Sequence, residues 1–538
     1  MIQRFLGFLF LILIVLASLQ CARRGNPTGG PKDVTPPQLV KADPVNKTIN
    51  FSGKTIKLYF DEYVKLEDIQ NQLIVSPPLK YLPQITPQGS ASKSIEITLK
   101  DTLMENTTYT LNFGQSIVDN NEGNPNSFLT YVFSTGDYID SLSVSGVVKD
   151  AFNRNADTFI SVMLYEMDST YTDSTIYNYP PNYITNTLDS TTIFQLENLK
   201  AGKYAIIAVK DQAKNNVFDQ LTDKIAFLQD TVSLPTDSIY LLTLFKEIPD
   251  YNIAVPSFAA KNRIIFGYSG RSEHIDIVPL TTIPDTVKTV IAKEPEKDTL
   301  NYWFTPFEAD SIVFKISNEK EESMDTFTVK TRKLAVDSLL LTTNQRSSLG
   351  FEETFQISAN VPIIRIDTSK IDLINKDSIP VNFSARLDSI KNRLEIDFDI
   401  EPNENYGLNL YSGVLTDFFE NQNDTLQYKF STGSYADYGN LRLNLSGNVT
   451  YPVIVQLTNE RGETIEREIY ATTPGPLEFN NLTPSKYLIR VINDSNENGK
   501  WDTGNYLKKI QPERVSYYPD VLEVRANWEL EQTFILSN

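Results

Sequence analysis

The sequence is poor in the residues that many catalytic and metal sites require. Among its 538 residues there is one cysteine and one histidine. A single cysteine cannot form an internal disulfide, and a single histidine, His274, leaves no pair for a zinc site of the histidine type. Any Ser-His-Asp or Cys-His arrangement would have to use His274, whose neighbours alternate as in a β-strand. Neither a P-loop nor a dinucleotide-binding fingerprint occurs.

Positive charge is also scarce. The chain carries 49 Lys and Arg against 68 Asp and Glu, which gives a formal net charge of −19. Nucleic-acid binding needs clustered cations to neutralise phosphates, so the charge argues against a nucleic-acid partner. It also disfavours lying flat on an anionic membrane. Because 41% of the residues are hydrophobic, the chain can form cores, and its length predicts about three to five domains.

The amino end carries a short apolar run. It reads FLGFLFLILIVL from Phe5 to Leu16, follows Arg4, and precedes Cys21. About a dozen apolar residues are too few to cross a roughly 30 Å hydrocarbon core, but they suit a secretory signal peptide. The cysteine resembles the acceptor of a bacterial lipoprotein, which implies a signal peptide at residues 1–20 and a membrane anchor at Cys21. An ordinary signal peptide with an incidental cysteine, or an uncleaved anchor, is the alternative.

A glycine- and proline-rich stretch, residues 21–36, follows and predicts a flexible tether. Beyond it, alternating segments such as TIKLYF, separated by turn residues, predict a β-sandwich. The order of Pro36-Pro37, KLYFDEYV and the closing FSTG resembles the bacterial Ig-like domain of the S-layer-protein (SbsA) type. With the lipoprotein start and PTGGPKD, it also resembles Ig-like envelope lipoproteins of the Bacteroidota. The resemblance implies an Ig-like domain at residues 37–137.

A second β pattern begins after this domain. The segment TIFQLENLKAGKYAIIAVK, residues 192–210, resembles prealbumin-like and carboxypeptidase-regulatory-like β-sandwiches. Both patterns recur, since residues 406–433 parallel 109–136 and residues 477–491 repeat the second pattern. Fixed order at a long period predicts duplication of a two-domain block. We therefore predict an all-β chain of tandem domains: Ig-like at 37–137 and 335–434, prealbumin-like at 138–249 and 435–538, and a small β domain at 250–334.

One turn of the last domain, DSNENGKWD, places acidic and amide side chains at alternate positions. It resembles the start of an EF-hand calcium loop, because hard cations bind oxygen ligands and Gly499 permits the sharp bend. The EF-hand pattern then requires a Glu where this sequence has Asn505, and the matching turn Asp211–Asp219 lacks the glycine. A turn that caps its own backbone is the alternative. The candidate calcium ligands are Asp494, Asn496, Asn498 and Asp502.

A triplet of Asp, then Ser or Thr, then a small aliphatic residue or Thr recurs along the chain. It resembles the O-glycosylation acceptor of periplasmic and surface proteins in the Bacteroidota. An Asx turn leading into a strand would select the same residues. The candidate acceptors are Thr102, Ser141, Ser169, Ser174, Ser190, Ser238, Thr299, Ser338, Ser378 and Thr425.

These observations predict a non-catalytic lipoprotein of the cell envelope, anchored in the outer membrane and facing the periplasm or the surface. It would act as a structural, adhesion or glycan- or protein-binding scaffold, with no cofactor besides the candidate calcium.

A competing hypothesis is a carboxylate enzyme acting on polysaccharide, which predicts a deep acidic cleft with aromatic walls and could use a pair such as Asp61-Glu62. A third is an accessory lipoprotein of an outer-membrane machine, which predicts an exposed apolar patch. The tryptophans, above all Trp501, are expected to pack rather than to bind sugars.

Overall fold

A computed structural model describes residues 33–127, 129–187, 192–271, 275–295, 297–344 and 347–537. The predicted signal peptide, Cys21, most of the tether, Ser190 and His274 lie outside these ranges. The all-β prediction is confirmed: among the described residues the helices are single turns, at α1 (Ile69–Gln72), α2 (Thr175–Asn178) and the 3-10 turns Thr368–Lys370 and Tyr435–Asp437. No helix in these ranges has the length and apolar character needed to span a bilayer.

The described residues form two compact units. The first holds the described residues through Ser143, together with Asn182–Thr185 and Leu196–Ala201. The second holds Val144–Pro181, Asn186–Gln195 and the residues from Gly202 to the end of the described chain. The five predicted domain boundaries stay predictions, but each predicted region contains its own pair of sheets or more.

The predicted Ig-like region at 37–137 contains two antiparallel sheets. One has the order β1-β2-β5-β4, with β7 also pairing β2, and the other has the order β3-β6-β8. The alternation in TIKLYF buries Ile56, Leu58 and Phe60 in one core between the sheets. The strands are β1 (Leu39–Asp43), β2 (Thr55–Leu66), β3 (Ile74–Ser76), β4 (Gln84–Thr86), β5 (Ser92–Thr98), β6 (Thr108–Asn112), β7 (Ile117–Asp119) and β8 (Thr130–Ser134).

The first prealbumin-like region also has two sheets. Their orders are β11-β10-β13-β14, with β15 pairing β13, and β12-β9-β16. The pairing of β16 with β9 is parallel, so the last strand of the region returns beside the first. The strands are β9 (Leu142–Asp150), β10 (Ser161–Glu166), β11 (Tyr183–Asn186), β12 (Ile193–Leu199), β13 (Gly202–Lys210), β14 (Lys224–Phe227), β15 (Val232–Leu234) and β16 (Ile239–Leu244).

The small β region at 250–334 is a sandwich as well. Its sheets have the orders β17-β19-β22-β21, with β18 pairing β19, and β20-β23-β24. Phe266, Tyr302 and Phe314 form the centre of its core. The strands are β17 (Asn252–Ile253), β18 (Ser257–Ala260), β19 (Arg263–Ser269), β20 (Ile275–Pro279), β21 (Thr289–Lys293), β22 (Thr299–Phe304), β23 (Ser311–Asn318) and β24 (Ser323–Lys330).

The second Ig-like region repeats the first with one difference. Its sheets have the orders β25-β26-β30-β29, β28-β31-β33 and β27-β32. Strands β26 and β27 together take the place of the single long β2. Pro362 lies between them and interrupts the strand, because proline has no backbone N–H to donate to a strand ladder. The strands are β25 (Leu341–Thr343), β26 (Phe355–Ala359), β27 (Ile363–Ile366), β28 (Ile371–Ile374), β29 (Phe383–Asp388), β30 (Arg393–Phe398), β31 (Asn405–Leu410), β32 (Leu415–Asp417) and β33 (Leu426–Ser431).

The last region has the strand order of the first prealbumin-like region. Its sheets are β36-β35-β38-β39, with β40 pairing β38, and β37-β34-β41, in which β34 and β41 are parallel. The repeat recognised in the sequence is therefore repeated in topology. The strands are β34 (Gly439–Gly447), β35 (Val453–Asn459), β36 (Ile465–Ala471), β37 (Leu477–Leu482), β38 (Ser485–Asn493), β39 (Val515–Tyr517), β40 (Leu522–Val524) and β41 (Glu529–Leu536).

Candidate functional site: the Asp494–Asp502 loop and its junction

The candidate calcium loop follows strand β38 and folds around one carboxylate. Asp494 is 1% exposed. Its Oδ1 accepts the backbone N–H of Asn498 at 3.0 Å, and its Oδ2 accepts that of Gly499 at 2.7 Å. Gly499 has φ of +73°, a conformation that residues with a side chain rarely adopt. The glycine singled out in the sequence therefore serves the bend of this loop.

The remaining predicted ligands meet on the other side of the loop. The side-chain amides of Asn496 and Asn498 each donate to Oδ2 of Asp502 at 2.6 Å. Glu513 completes the group, since its carboxylate accepts from the backbone of Asp502 at 3.0 Å and from Ser495 at 2.7 Å. The four predicted residues are thus brought together. In the described part of the chain, no cluster of three or more His, Cys, Asp or Glu side chains is arranged to hold a metal ion.

Calcium binding by this loop stays a prediction. The hydrogen bonds within the loop are those of the alternative, a turn that caps its own backbone. Sequence reasoning missed Glu513, which lies 11 residues after Asp502 and outside the spacing of a calcium loop.

The matching turn of the first copy is built in the same way. Oδ1 of Asp211 accepts the N–H of Lys214 at 2.6 Å, and Oδ2 accepts that of Asn216 at 2.7 Å. Burial raises the pKa of Asp211, and these two backbone bonds offset only part of that effect. Asp223 closes the turn by accepting from Gln212 and Asp219 at 3.0 Å each.

The two turns lead into segments of different length. Residues 211–223 separate β13 from β14, whereas residues 494–514 separate β38 from β39. The longer segment of the second copy packs against the first copy, within the second compact unit. Trp501 contacts Phe152 with ring centroids 4.8 Å apart, and the guanidinium of buried Arg490 lies 4.2 Å from the centre of the same ring.

Tyr506 is the centre of this junction. It is 1% exposed, and its hydroxyl lies 3.0 Å from that of Tyr171. Its ring meets Phe227 edge-on at 5.3 Å, and its backbone N–H donates to the buried carboxylate of Glu247. Burial, followed by the hydrogen bond to Tyr171, raises the pKa of Tyr506, so its hydroxyl stays protonated.

Polar contacts surround the aromatic centre. The hydroxyl of Thr503 donates to the carbonyl of Lys246 at 2.6 Å, and Gln511 donates to the carbonyl of Phe227 at 2.9 Å. Lys509 pairs with Asp173 at 2.7 Å. An aromatic centre with a polar margin is the composition of a specific interface. The sequence predicted two separate domains here and gave no sign of this contact.

The tryptophans fit the packing expectation in two of three cases. Trp501 is half-buried in the junction, and its Nε1 donates to the carbonyl of Glu513 at 3.0 Å. Trp303 is buried beside Phe419 of the second Ig-like region. Trp528 is 45% exposed, with the guanidinium of Arg525 at 4.9 Å from its ring.

The candidate glycosylation hydroxyls are mostly accessible. Thr299 is half-buried, and Ser190 lies outside the described residues. Asp168 forms the Asx turn of the alternative, because its Oδ1 accepts from Thr170 at 2.7 Å. Accessibility is required for modification but also expected of turns, so both interpretations stand. The exposed candidates are Thr102, Ser141, Ser169, Ser174, Ser238, Ser338, Ser378 and Thr425.

A groove of about 730 Å³ at one end of the last region carries three glutamates and three cations. Arg525 pairs with Glu523 at 2.9 Å and Lys486 with Glu460 at 3.6 Å. The hydrogen bond and charge of Arg525 lower the pKa of Glu523, the opposite of what a general acid needs. None of the described lining residues is aromatic. This groove does not match the cleft that the enzyme hypothesis predicts.

The pair Asp61-Glu62 lies in the first Ig-like region. Burial, followed by the charges of Asp119 and Asp61, raises the pKa of Glu62. Asp61 is exposed and accepts the backbone N–H of Gln38 at 2.8 Å. Neither residue of the pair lines the groove beside Arg525.

The accessory-lipoprotein hypothesis predicts an exposed apolar patch. Two exposed apolar side chains, Ile239 and Leu241, share one face of β16.

The fold and the junction define the class of the protein, a chain of tandem β-sandwiches in which repeated regions pack on one another. Residues 33–135 match the bacterial Ig-like domain family, which confirms the Ig-like resemblance of this part of the chain. No curated protein matches the sequence.

Solved structures with low similarity include surface layer protein SbsC, domains 1–6, at 11% identity over 91% of this chain and 67% of that one, with a TM-score of 0.15. The Bacillus anthracis TIE protein has 10% identity over 95% and 76%, with a TM-score of 0.15. The Bacteroides ovatus mixed-linkage glucan utilization locus protein SGBP-B, in complex with a mixed-linkage heptasaccharide, has 10% identity over 64% and 88%, with a TM-score of 0.17. Likeness at this level carries no information about the ligands of this chain.

Proposed function

We propose that the protein is a non-catalytic scaffold of the bacterial cell envelope, held to the outer membrane by a lipid at Cys21. The bacterial Ig-like domain at residues 33–135 supports an envelope or extracellular protein. The acceptor-like cysteine after a short apolar run supports the lipid anchor. A formal net charge of −19 suits a body that stands off an anionic surface rather than one that lies on it.

The observation that carries the proposal is the junction around Tyr506. Many of the aromatic and charged side chains that a binding or catalytic site of the last region could have used are committed to contacts with residues 144–249. Arg490, Trp501 and Tyr506 all serve this contact. A polypeptide that fixes its repeated sandwiches against each other transmits position and force, which is the work of a scaffold.

The lipid anchor is tested in the native host with the wild-type protein and Cys21→Ala. We expect the wild type to fractionate with the outer membrane and to incorporate a labelled fatty acid. Cys21→Ala should lose the label and appear in the soluble fraction. Arg24→Gln, a change close to the cysteine that leaves the thiol in place, is the matched control and should behave as wild type. An unchanged distribution of Cys21→Ala contradicts the anchor.

Protease treatment of intact cells then distinguishes the two orientations. A surface protein is digested on intact cells, whereas a periplasmic protein is digested only after the outer membrane is opened. Digestion under neither condition, together with recovery from the cytoplasm, would contradict the envelope proposal itself.

A further inference from the structure

A cavity of about 270 Å³ lies where several strands of the small β region end. Its walls are aromatic: Phe304 at the end of β22 packs edge-on against Phe258 of β18 at 6.2 Å and against Phe307 at 5.5 Å. Ala309 and Ile312 complete the apolar surface. An apolar cavity of about 150 Å³ holds benzene, so this one has room for a single ring with a short polar arm.

One polar group in the lining lacks a partner. Asn262 is 3% exposed, and its side-chain oxygen Oδ1 is buried with no hydrogen-bond partner among the described residues. Its backbone carbonyl, in contrast, accepts from the N–H of Phe304 at 3.2 Å. Buried polar atoms are nearly always paired, because leaving one unpaired is costly. A hydrogen-bond donor on a bound molecule would satisfy this oxygen.

The margin of the cavity is basic in a strongly acidic protein. Lys261, Arg332 and Lys333 all line it, and all three are exposed. None of the described lining residues is acidic. The formal net charge of the chain is −19, so a lining with three cations and no acidic residue departs from the average charge of the chain, although Glu308 and Asp310 flank the lining residue Ala309. Their charge complements an anion on the part of a ligand that reaches solvent.

We propose that this cavity binds a small organic anion with one apolar ring, a short arm ending in a carboxylate, and a hydrogen-bond donor. The ring packs against the cavity wall that Phe258, Phe304 and Phe307 form. The donor meets the side-chain oxygen of Asn262, and the carboxylate lies among the cations. A few convergent polar groups on an aromatic pocket are the usual composition of a small-molecule site. The inference does not depend on the proposed envelope function.

The binding test uses the full chain and the amino acid derivative N-acetyl-phenylalanine, which carries a ring, a carboxylate and an amide N–H. Ligand-observed NMR should show saturable binding with a dissociation constant of about 1 mM or below. The amide analogue that lacks the carboxylate charge should bind at least about fivefold more weakly. Absence of saturable binding up to about 10 mM, or equal binding of both probes, overturns the proposal.

Three variants, Lys333→Gln, Ala309→Leu and Asn262→Leu, and one control test whether binding occurs in this cavity. Lys333→Gln should weaken binding of the carboxylate but leave the amide analogue unchanged, and Lys293→Gln, an exposed lysine of β21 outside the lining, should change neither. Ala309→Leu should fill the cavity and abolish binding. Asn262→Leu should abolish binding while leaving the thermal midpoint of the ligand-free protein equal or higher, because it removes an unpaired buried oxygen. A lower midpoint for Asn262→Leu, or undiminished binding by all three variants, overturns the assignment.

Discussion

The two prealbumin-like regions have the same strand order and the same parallel closing pair, but their equivalent turns contribute differently to the junction between them. Residues 211–223 make a short turn that closes on Asp223. Residues 494–514 form a turn of the same kind and then continue into the segment that packs on Phe152, Tyr171 and Phe227. The lengthened loop supplies much of the contact between the two copies, and strands β38 and β39 also contribute to it through contacts with Phe152.

The two turns also differ in what their equivalent aromatic side chains contact. Phe218, at the end of the first turn, packs against Tyr177 of its own region. Trp501, its counterpart in the second turn, packs against Phe152 of the other region. Aromatic residues at equivalent positions therefore stabilise one sandwich in the first copy and the junction in the second.

The largest expected effect comes from breaking the junction at its centre. Tyr506→Ala removes a fully buried ring and leaves a cavity among Tyr171, Tyr177 and Phe227. We expect the free energy of unfolding of the second unit to fall by about 3–4 kcal/mol. Hydrogen–deuterium exchange should rise in β14 and in residues 501–511, while the core strand β19 of the small β region keeps its protection.

Leu507→Ala is the matched control, because its side chain is 52% exposed and adjacent in sequence. It should change the free energy of unfolding by less than about 0.5 kcal/mol. Equal effects of the two substitutions would show that the segment does not hold the regions together, and the two loops would then not differ in function.

Much of the fold could be predicted because it depends on local pattern. The alternation of TIKLYF predicts β2, and the recurrence of whole segments predicts that the topology repeats. In the second Ig-like region, the division of the strand equivalent to β2 into β26 and β27 could have been predicted as well, since Pro362 is visible in the sequence. These features are encoded within a few residues of where they act.

The junction could not be predicted, because its partners are far apart in the chain. Tyr506 and Tyr171 are separated by 335 residues, and nothing in either segment signals the other. The same holds for the cavity at Phe304, which brings together side chains from three strands, the turn between β18 and β19, the loop before β23 and the segment after β24. Surfaces that meet through tertiary packing leave no periodicity in the sequence.

The calcium prediction would sharpen the comparison between the two turns. If Asp494–Asp502 binds Ca²⁺, then calcium at about 1 mM, a concentration at which extracellular sites bind it, should raise the thermal midpoint of the wild type. Removal of the calcium with a chelator should reverse this shift. Asp502→Asn should remove the shift, and Asp219→Asn in the first copy should not. A wild type without a calcium shift would leave the self-capped turn as the correct interpretation of both loops.

The smallest effect concerns the half-buried carboxylate of Asp211 in the first turn. Burial raises the pKa of Asp211 above the value of 3.8 it has when unfolded. The folded state therefore favours the protonated form, and the stability linked to this group is present below pH 3.8 and is lost as pH rises through the raised pKa. Asp211→Asn removes the charge, but its amide has only one acceptor oxygen, so one of the two backbone bonds from Lys214 and Asn216 is lost. Relative to the wild type, its thermal midpoint should therefore be more favourable at pH 7 than below pH 3.8, where the wild-type carboxyl is protonated as well. Asp219→Asn, an exposed control in the same turn, should give no gain at either pH. An equal change at both pH values would mean that the burial of this charge does not affect the stability of the turn.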